Sequence, residues 1–345
     1  MTSQTNKEGT PKERIRIGVI GDHDPNLMGG IRVHVVRLSR SLEAMGFAVI
    51  NHYPRADPII DLFRLYWRSD IVHVNMTNVF MILALTLMRF LFSVKSLYIT
   101  VHEDVLRSSG IKLKVLKLSA RLCDHLFVLN DDSRAWAKAF LAPSKYSLVT
   151  AFLPPTAQEN LLSQGDKDLA ARIDALRPKF EKMFLTYGSH LCYDSKNQEI
   201  YGVSQLFDLF CDLQHHLLII VDPTGGYKET LRSKHVPENI LFVNERVNFT
   251  NLINLSDAYI RNTTTDGDSI ALREAVFYGL TSFATDVVSR PDNVDIYPLN
   301  DLEALQSLIL SMKGRSNSRP VSRDKLEQQI APSQSVLEFY QRAFA

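Results

Sequence analysis

The chain has 345 residues, of which 45% are hydrophobic and 22% are charged, and this composition is typical of a soluble globular protein long enough for two domains. Its three cysteines show neither paired nor metal-ligand spacing, which argues against a disulfide framework and favours reduced thiols in the cytoplasm. The net charge of +1 conceals a basic half, since residues 1–150 hold 20 Lys and Arg against 13 Asp and Glu.

Strand-like and helix-like segments alternate through the first half of the chain. Residues 16–20 form a buried-strand pattern, and apolar residues at helical spacing then predict a helix that begins near Gly30 and stops at Gly46. Strands are predicted at 48–50, 70–75, 97–102, 125–129 and 146–150, with helices at 112–122 and from Asp132. This repetition predicts a parallel sheet with helices on both faces.

The same alternation restarts after a predicted linker over residues 154–168. Further strands are predicted at 183–188, 217–221, 240–243, 257–260 and 281–286. We therefore predict an α/β protein with two doubly wound Rossmann-like domains facing across a cleft. The predicted boundaries are a disordered leader at 1–14, domains at 15–155 and 156–330, and a C-terminal helix at 331–345 that packs back towards the N-terminal domain.

One strand–loop–helix–strand unit near the C-terminus carries the strongest functional signal. The stretch Asp266-Gly267-Asp268-Ser269-Ile270 lies between a strand and a short helix, and Glu274 follows eight residues after Asp266, about two helical turns on. Backbone N–H groups at such a helix N-terminus can bind a phosphate. A capped helix with two exposed carboxylates remains the structural alternative.

This unit resembles the acidic-x7-Glu signature of retaining GT-B glycosyltransferases, the large group 1 (family 4) superfamily. The first acidic residue of that signature is usually Glu, and here it is Asp266. The resemblance implies that Glu274 holds the donor ribose, while amides of Gly267, Asp268, Ser269 and Ile270 hold phosphate and sugar hydroxyls. It also implies that residues 156–330 form the donor domain and residues 15–155 the acceptor domain.

Two segments of the N-terminal half strengthen the resemblance. Gly29-Gly30 opens a stretch similar to the family's Gly-Gly-x-x-x-His-Val-x-x-Leu, which approaches the donor, and a tight turn before a helix is the structural alternative. His102 ends a strand in a stretch similar to the family's Thr-Val-His-Asp, whose His faces the cleft, although it could also be a packing histidine. We assign Asp266, Glu274 and His102 as catalytic and Glu103 and Asp104 as acceptor-binding.

The residues that would bind the donor diphosphate differ here from the family pattern. The family usually has Gly-Arg after the first strand of the second domain, whereas here that strand ends in Gly188-Ser189-His190. Lys196, predicted to open the next helix, is the best match to the family's Lys, and Arg246 and Arg290 are further candidates. Asp266 and Asp268 also match a metal-binding Asp-x-Asp pair of another glycosyltransferase fold, but the restarted βα series argues against that fold. We therefore expect no metal or other cofactor.

A basic run in the N-terminal half suggests contact with an anionic membrane surface. It comprises Arg107, Lys112, Lys114, Lys117 and Arg121, with apolar residues between them. A solvated helix face is the structural alternative, and no recognised motif supports nucleic-acid binding. We expect a cytoplasmic protein that attaches peripherally to the inner face of the plasma membrane.

The sequence thus predicts a retaining, hexosyltransferase-like enzyme that moves a sugar from a nucleotide-sugar donor to a glycan or lipid-linked acceptor in polysaccharide or glycoconjugate biosynthesis. Two alternatives share the fold. One is a non-catalytic nucleotide- or sugar-binding partner, which the missing Gly-Arg and the substitution at Asp266 favour. The other is a nucleotide-sugar epimerase.

Overall fold

The computed structural model of the chain describes residues 15–22, 29–102, 105, 108–155, 159, 161–194, 196–312 and 335–344. These residues form two six-stranded sheets in which every pair of neighbouring strands is parallel. Long apolar runs form the strands, as expected where helices cover both faces of a sheet. The predicted α/β class with two doubly wound domains is confirmed.

The N-terminal domain contains the first sheet, with strands in the order β2-β1-β3-β4-β5-β6. Its strands are β1 (Arg16–Gly21), β2 (Ala48–His52), β3 (Ile71–Met76), β4 (Ser96–Val101), β5 (His125–Val128) and β6 (Tyr146–Leu148). Its helices are α1 (Gly30–Ala44), α2 (Ile59–Arg68), α3 (Val79–Met88), α4 (Gly110–Leu122) and α5 (Asp131–Lys138). Helices α2 to α5 pack on one face of the sheet, and α1 packs on the other.

The C-terminal domain contains the second sheet, with strands in the order β12-β11-β10-β7-β8-β9. Its strands are β7 (Lys182–Tyr187), β8 (His216–Val221), β9 (Ile240–Val243), β10 (Ala258–Arg261), β11 (Thr281–Thr285) and β12 (Asp295–Tyr297). Its helices are α6 (Gln164–Leu176), α7 (Val203–Asp212), α8 (Gly226–Thr230), α9 (Phe249–Leu255), α10 (Ile270–Phe277) and α11 (Leu302–Ser311). A last helix, α12 (Val336–Phe344), follows.

Each sheet has one point where the strand order reverses, and ligands of doubly wound domains bind outside the carboxyl ends of the strands at that point. In the first sheet the reversal lies between β1 and β3, and in the second it lies between β7 and β10. The segments after these four strands therefore supply the side chains closest to any ligand. They include Gly29 after β1 and the loop at 262–269 after β10.

Two local predictions are wrong. Lys196 does not open a helix, because it lies in a turn beside the left-handed Asn197, and the next helix begins only at Val203. The predicted linker at 154–168 contains the start of α6, where Ser163 forms a capping box with Asp166. The predicted leader at 1–14 lies outside the described residues.

Helix α12 packs on the N-terminal domain, on the face that also carries α1. Its Tyr340 is fully buried, and Tyr340 Oη lies 3.0 Å from Nδ1 of His73 in β3. The ring of Tyr340 also contacts those of Tyr98 and Phe47, at centroid distances of 5.7 and 6.1 Å. Helix α12 is thus part of the first domain's core.

We expect Tyr340→Ala to lower the free energy of unfolding by about 3–5 kcal/mol, because it leaves a cavity where a buried aromatic ring packs. Tyr340→Phe keeps the ring and removes only the hydrogen bond to His73, so its cost should be about 1 kcal/mol. Urea unfolding followed by circular dichroism measures both. Equal losses in the two variants would show that the ring contributes no packing.

Candidate active site

A cavity of about 720 Å³, here called the cleft cavity, lies between the carboxyl edges of the two sheets. Both domains line it. The predicted site residues that it brings together are Gly29, Gly30, His102, Asp266, Gly267, Asp268, Ser269 and Ile270. Residues separated by more than 200 positions in sequence thus line one cavity.

A second cavity of about 510 Å³, here called the side cavity, continues from the first one. Glu274 and Arg246 line it together with Phe249. The residues that line both cavities are Gly29, Gly30, Arg32, Tyr187, Ile270 and Ala271. The two cavities therefore meet where the first turn of α1 faces the first turn of α10.

The N-terminus of α10 is built to present amides at this junction. Ser269 caps the helix by accepting a hydrogen bond from the Leu272 amide at 3.3 Å. The amides of Ile270 and Ala271 have no acceptor within the helix, as at every helix N-terminus. Gly267 permits the domains to approach, because a Cβ atom there would lie 2.6 Å from the carbonyl oxygen of His102.

The side chain of Asp266 is almost completely buried and is fixed by two arginines. Its carboxylate accepts hydrogen bonds from Nε and Nη2 of Arg261, both at 3.0 Å, and from Nη1 of Arg290 at 2.9 Å. Burial alone would raise the pKa of Asp266, but the two guanidinium groups outweigh it and hold the pKa below its ordinary value. The residue therefore stays ionised at neutral pH, where it fixes the loop that precedes α10.

Asp268 joins the two domains. Its Oδ2 accepts hydrogen bonds from Oγ1 of Thr150 at 2.6 Å and from the amide of Ala151 at 2.8 Å, while its Oδ1 pairs with Arg273. Within the part of the chain that the structure describes, no three His, Cys, Asp or Glu side chains are grouped as metal ligands. The carboxylate of Asp266 binds arginines, and the carboxylate of Asp268 binds Arg273 and two groups of the N-terminal domain.

Glu274 forms a buried ion pair with Arg37 of α1, so the pair also links the two domains. Arg37 donates in addition to Oε2 of Glu159 at 2.7 Å and to the carbonyl of Leu153 at 2.9 Å. Burial raises the pKa of Glu274, and the guanidinium of Arg37 opposes that rise. Arg37 was missed by the sequence analysis, although it lies one helical turn after His34 in the Gly-Gly helix.

His102 projects towards the cleft cavity as a neutral imidazole. Its Nε2 lies 3.3 Å from Oδ1 of Asn75, and its ring centroid is 5.1 Å from that of His34. Burial, with smaller contributions from His34 and His73, holds the pKa of His102 well below its ordinary value. Because the Asn75 contact is to an amide oxygen, it favours a proton on Nε2 of His102.

Of the three basic side chains that the sequence suggested, Arg246 lines the side cavity, whereas Arg290 and Lys196 line neither the cleft cavity nor the side cavity. Arg261, which the sequence analysis missed, lines the cleft cavity. Arg290 lines a different cavity of about 830 Å³ behind the loop at 266–268, here called the rear cavity, and Lys196 is exposed and lines none of the three cavities. Glu103 and Asp104 lie outside the described residues.

We expect Arg37→Met to lower the free energy of unfolding by about 3–5 kcal/mol, because it leaves the Glu274 carboxylate buried without its cation. Adding Glu274→Gln should recover part of that loss, since the buried charge is then gone. The matched control is Arg16→Met, which removes an exposed pair with Asp70 and should cost about 0–1 kcal/mol. Urea unfolding measures these free energies. If Arg37→Met lowers the free energy of unfolding no more than Arg16→Met does, the buried Glu274 carboxylate does not depend on Arg37 for its cation.

No protein-family model matches the sequence, and no curated protein does. Solved structures match it over nearly the whole chain. Sucrose-phosphate synthase from Thermosynechococcus elongatus has a TM-score of 0.71 at 14% identity, covering 96% of this chain and 98% of that one. Anabaena HepE in complex with UDP-glucose has a TM-score of 0.68 at 13% identity, covering 95% and 98%. The lipopolysaccharide outer core galactosyltransferase WaaB has a TM-score of 0.58 at 13% identity, with the same coverage. The chain therefore has the GT-B fold of these glycosyltransferases, as its sequence predicts.

Proposed function

We propose that the protein is a glycosyltransferase that binds a nucleotide-sugar donor across the junction of the side cavity and the cleft cavity. The observation that carries this proposal is the continuity of the two cavities past the N-terminus of α10. A nucleotide sugar has three parts in a row, namely nucleoside, diphosphate and sugar. The site offers a side cavity, an amide-lined junction and a cleft cavity in the same order.

In this arrangement the nucleoside occupies the side cavity, between Arg246 and the ring of Phe249, and Glu274 holds the ribose. The diphosphate lies at the first turn of α10, where oriented amides favour negative charge without a cation. Arg261 extends the positive potential to the cleft cavity. HepE has been determined with UDP-glucose and with UDP and glucose, which supports a donor of this class.

Glycosyl transfer needs the protein mainly to stabilise charge and position the substrates, and less to form covalent bonds itself. Breaking the bond between sugar and diphosphate places charge on the leaving oxygen, and preorganised dipoles at that position lower the barrier. His102 lines the same cavity as a neutral group, and with its proton on Nε2 its Nδ1 can accept a hydrogen bond from a hydroxyl of the transferred sugar. Asp266, in contrast, is a positioning residue, because its carboxylate is occupied by Arg261 and Arg290.

We extend the proposal to a hexose-like sugar, transfer with retention, and a glycan or lipid-linked acceptor of polysaccharide or glycoconjugate biosynthesis. The competing function is a nucleotide- or sugar-binding partner without turnover. One observation favours it, since β7 is followed by Gly188-Ser189-His190 without the arginine that the family usually has there. An epimerase of the same fold is the other competitor.

The test is incubation with a panel of nucleotide sugars, with release of nucleoside diphosphate followed and products identified by NMR. A glycosyltransferase releases nucleoside diphosphate and transfers or hydrolyses the sugar, and we expect this activity to survive a chelator because arginines and helix dipoles offset the phosphate charge. Binding without any release would support the non-catalytic alternative, and an altered nucleotide sugar would support the epimerase. Loss of activity with chelator and its recovery with manganese would overturn the metal-free mechanism.

A steric variant tests the donor position. Gly30→Leu should weaken nucleotide-sugar binding by about tenfold or more, because the new side chain starts 3.7–3.9 Å from Ile270 at the junction of the two cavities. Folding should persist, since Gly30 carries no left-handed backbone angle. Gly165→Leu is the matched control, because it adds the same side chain to the first turn of α6, where the nearest atom is Ser163 Oγ at 3.8 Å. Equal affinities for all three proteins in calorimetry would place the donor elsewhere.

A further inference from the structure

The N-terminal domain carries an uncovered apolar surface. Among the described residues, eleven of the eighteen exposed large hydrophobic side chains lie on α2, α3, the turn at 89–91 and α4. We call these eleven the outer apolar face: Ile59, Ile60, Phe63, Trp67, Phe80, Met81, Leu87, Phe90, Leu91, Ile111 and Leu118. Such a concentration on one side of a domain marks an interaction surface rather than scattered exposure.

The three helices form one continuous surface. On α2, exposed side chains recur at helical spacing, with Phe63 and Trp67 one turn apart, so they form a single stripe. The α2 helix is joined to α3 by a hydrogen bond of 2.6 Å from Tyr66 Oη to the carbonyl of Leu85, and Phe63 contacts the ring of Phe92 at 6.0 Å. Helix α3 in turn packs along α4.

Helix α3 gives the clearest reason to expect a covering partner. Its sequence from Val79 to Met88 contains no charged residue. Val79, Ile82 and Leu85 face the core, while Phe80 and Leu87 on the outer side are 51% and 46% exposed. A helix that is apolar on all sides is normally buried on all sides. The outer side of α3 is therefore exposed, although its apolar composition is that of a buried helix.

The charges around this face indicate an anionic partner. Helices α2, α3 and α4 together hold six Lys and Arg but only one acidic residue, Asp61. Lys112 and Lys114 are exposed, as the predicted membrane contact requires. Lys117 and Arg121 lie over the ring of Phe140, at 4.7 and 5.6 Å, so they also serve packing within the domain. Arg107 lies outside the described residues.

The outer apolar face begins beside the mouth of the cleft cavity. Tyr53 and Arg55 line that cavity shortly before α2 starts, and Thr77 and Asn78 line it immediately before α3 starts. The side chains at these helix starts, including Ile59 and Phe80, are exposed. Among the described residues, no helix is long and apolar enough to cross a bilayer.

We propose that the outer apolar face inserts into the surface layer of an anionic lipid bilayer, with Lys112 and Lys114 contacting lipid phosphates. Aromatic and aliphatic side chains beside basic ones are the combination that binds such interfaces. The cleft cavity then opens at the membrane, where it receives an acceptor whose sugar or phosphate is attached to a lipid. The identity of the acceptor rests on the proposed glycosyl transfer, whereas the membrane contact does not.

Tryptophan fluorescence tests the insertion directly. The chain has two tryptophans, and Trp67 is 80% exposed, so Trp136→Phe leaves a single reporter on the outer apolar face. With vesicles of phosphatidylglycerol and phosphatidylcholine, the emission should shift to shorter wavelength and be quenched by brominated acyl chains. An unchanged spectrum at low salt would overturn the proposal. A blue-shifted spectrum without vesicles, accompanied by a dimer in sedimentation, would assign the face to a second copy and overturn it too.

Variants separate insertion from charge attraction. Phe80→Ser and Leu87→Ser should each weaken vesicle binding about tenfold, because each removes a large apolar side chain from the membrane. Leu310→Ser is the matched control, since Leu310 is 62% exposed on α11 of the C-terminal domain, and it should bind as the wild type does. Wild-type binding by both serine variants, with complete release by salt, would mean electrostatic contact alone and overturn insertion. Calorimetry with nucleoside diphosphate and no vesicles should be unchanged in every variant, which keeps this test independent of the donor site.

Discussion

The ion pair between Arg37 and Glu274 is the contact on which the arrangement of the site depends. Both side chains are almost completely buried, and they come from helices of different domains. A buried carboxylate without a cation would destabilise the folded protein. The N-terminal domain supplies the cation, Arg37, and the C-terminal domain supplies the carboxylate, Glu274. Glu159 and the carbonyl of Leu153 bind the remaining nitrogens of Arg37, and the guanidinium is thereby fixed in orientation.

The loop before α10 adds a second set of contacts between the domains. Asp268 accepts hydrogen bonds from Thr150 and Ala151, and Gly267 lies against the backbone of His102. The residues proposed to hold the donor therefore also hold the two domains together. On the proposed donor position, donor binding and the relative position of the domains are energetically linked, because Glu274 contributes to both.

The fold was predictable from local patterns, and the site only in part. Apolar runs and helical spacing identify most strands and helices, because the hydrophobic period of each element can be read from residues close together in sequence. The segment at 266–274 is also local, so Gly267 and Ile270 were found and do line the cleft cavity. Arg37 and Arg261 were missed because their importance comes from partners and cavities that only the folded chain brings together.

Two basic candidates lie away from the cleft cavity and the side cavity, and the reason is the same. Lys196 and Arg290 were chosen for charge and position along the chain, but one is exposed in a turn and the other is directed to Asp266. The outer apolar face was predictable only in part, since the sequence suggested a membrane contact for the basic run around α4 but not for α3. Its residues on α2 and α3 look like ordinary core positions until the packing shows that these side chains stay between 37% and 80% exposed.

Hydrogen–deuterium exchange with and without a nucleoside diphosphate tests the central claim most directly, because it locates the donor on the backbone of both domains. The account predicts slower exchange at 29–32, around the start of α1, and at 267–272, around the start of α10, with both segments protected at the same ligand concentration. Protection confined to 130–134 and 289–293, which line the rear cavity, would contradict it. So would unchanged exchange in both segments at a ligand concentration that saturates binding.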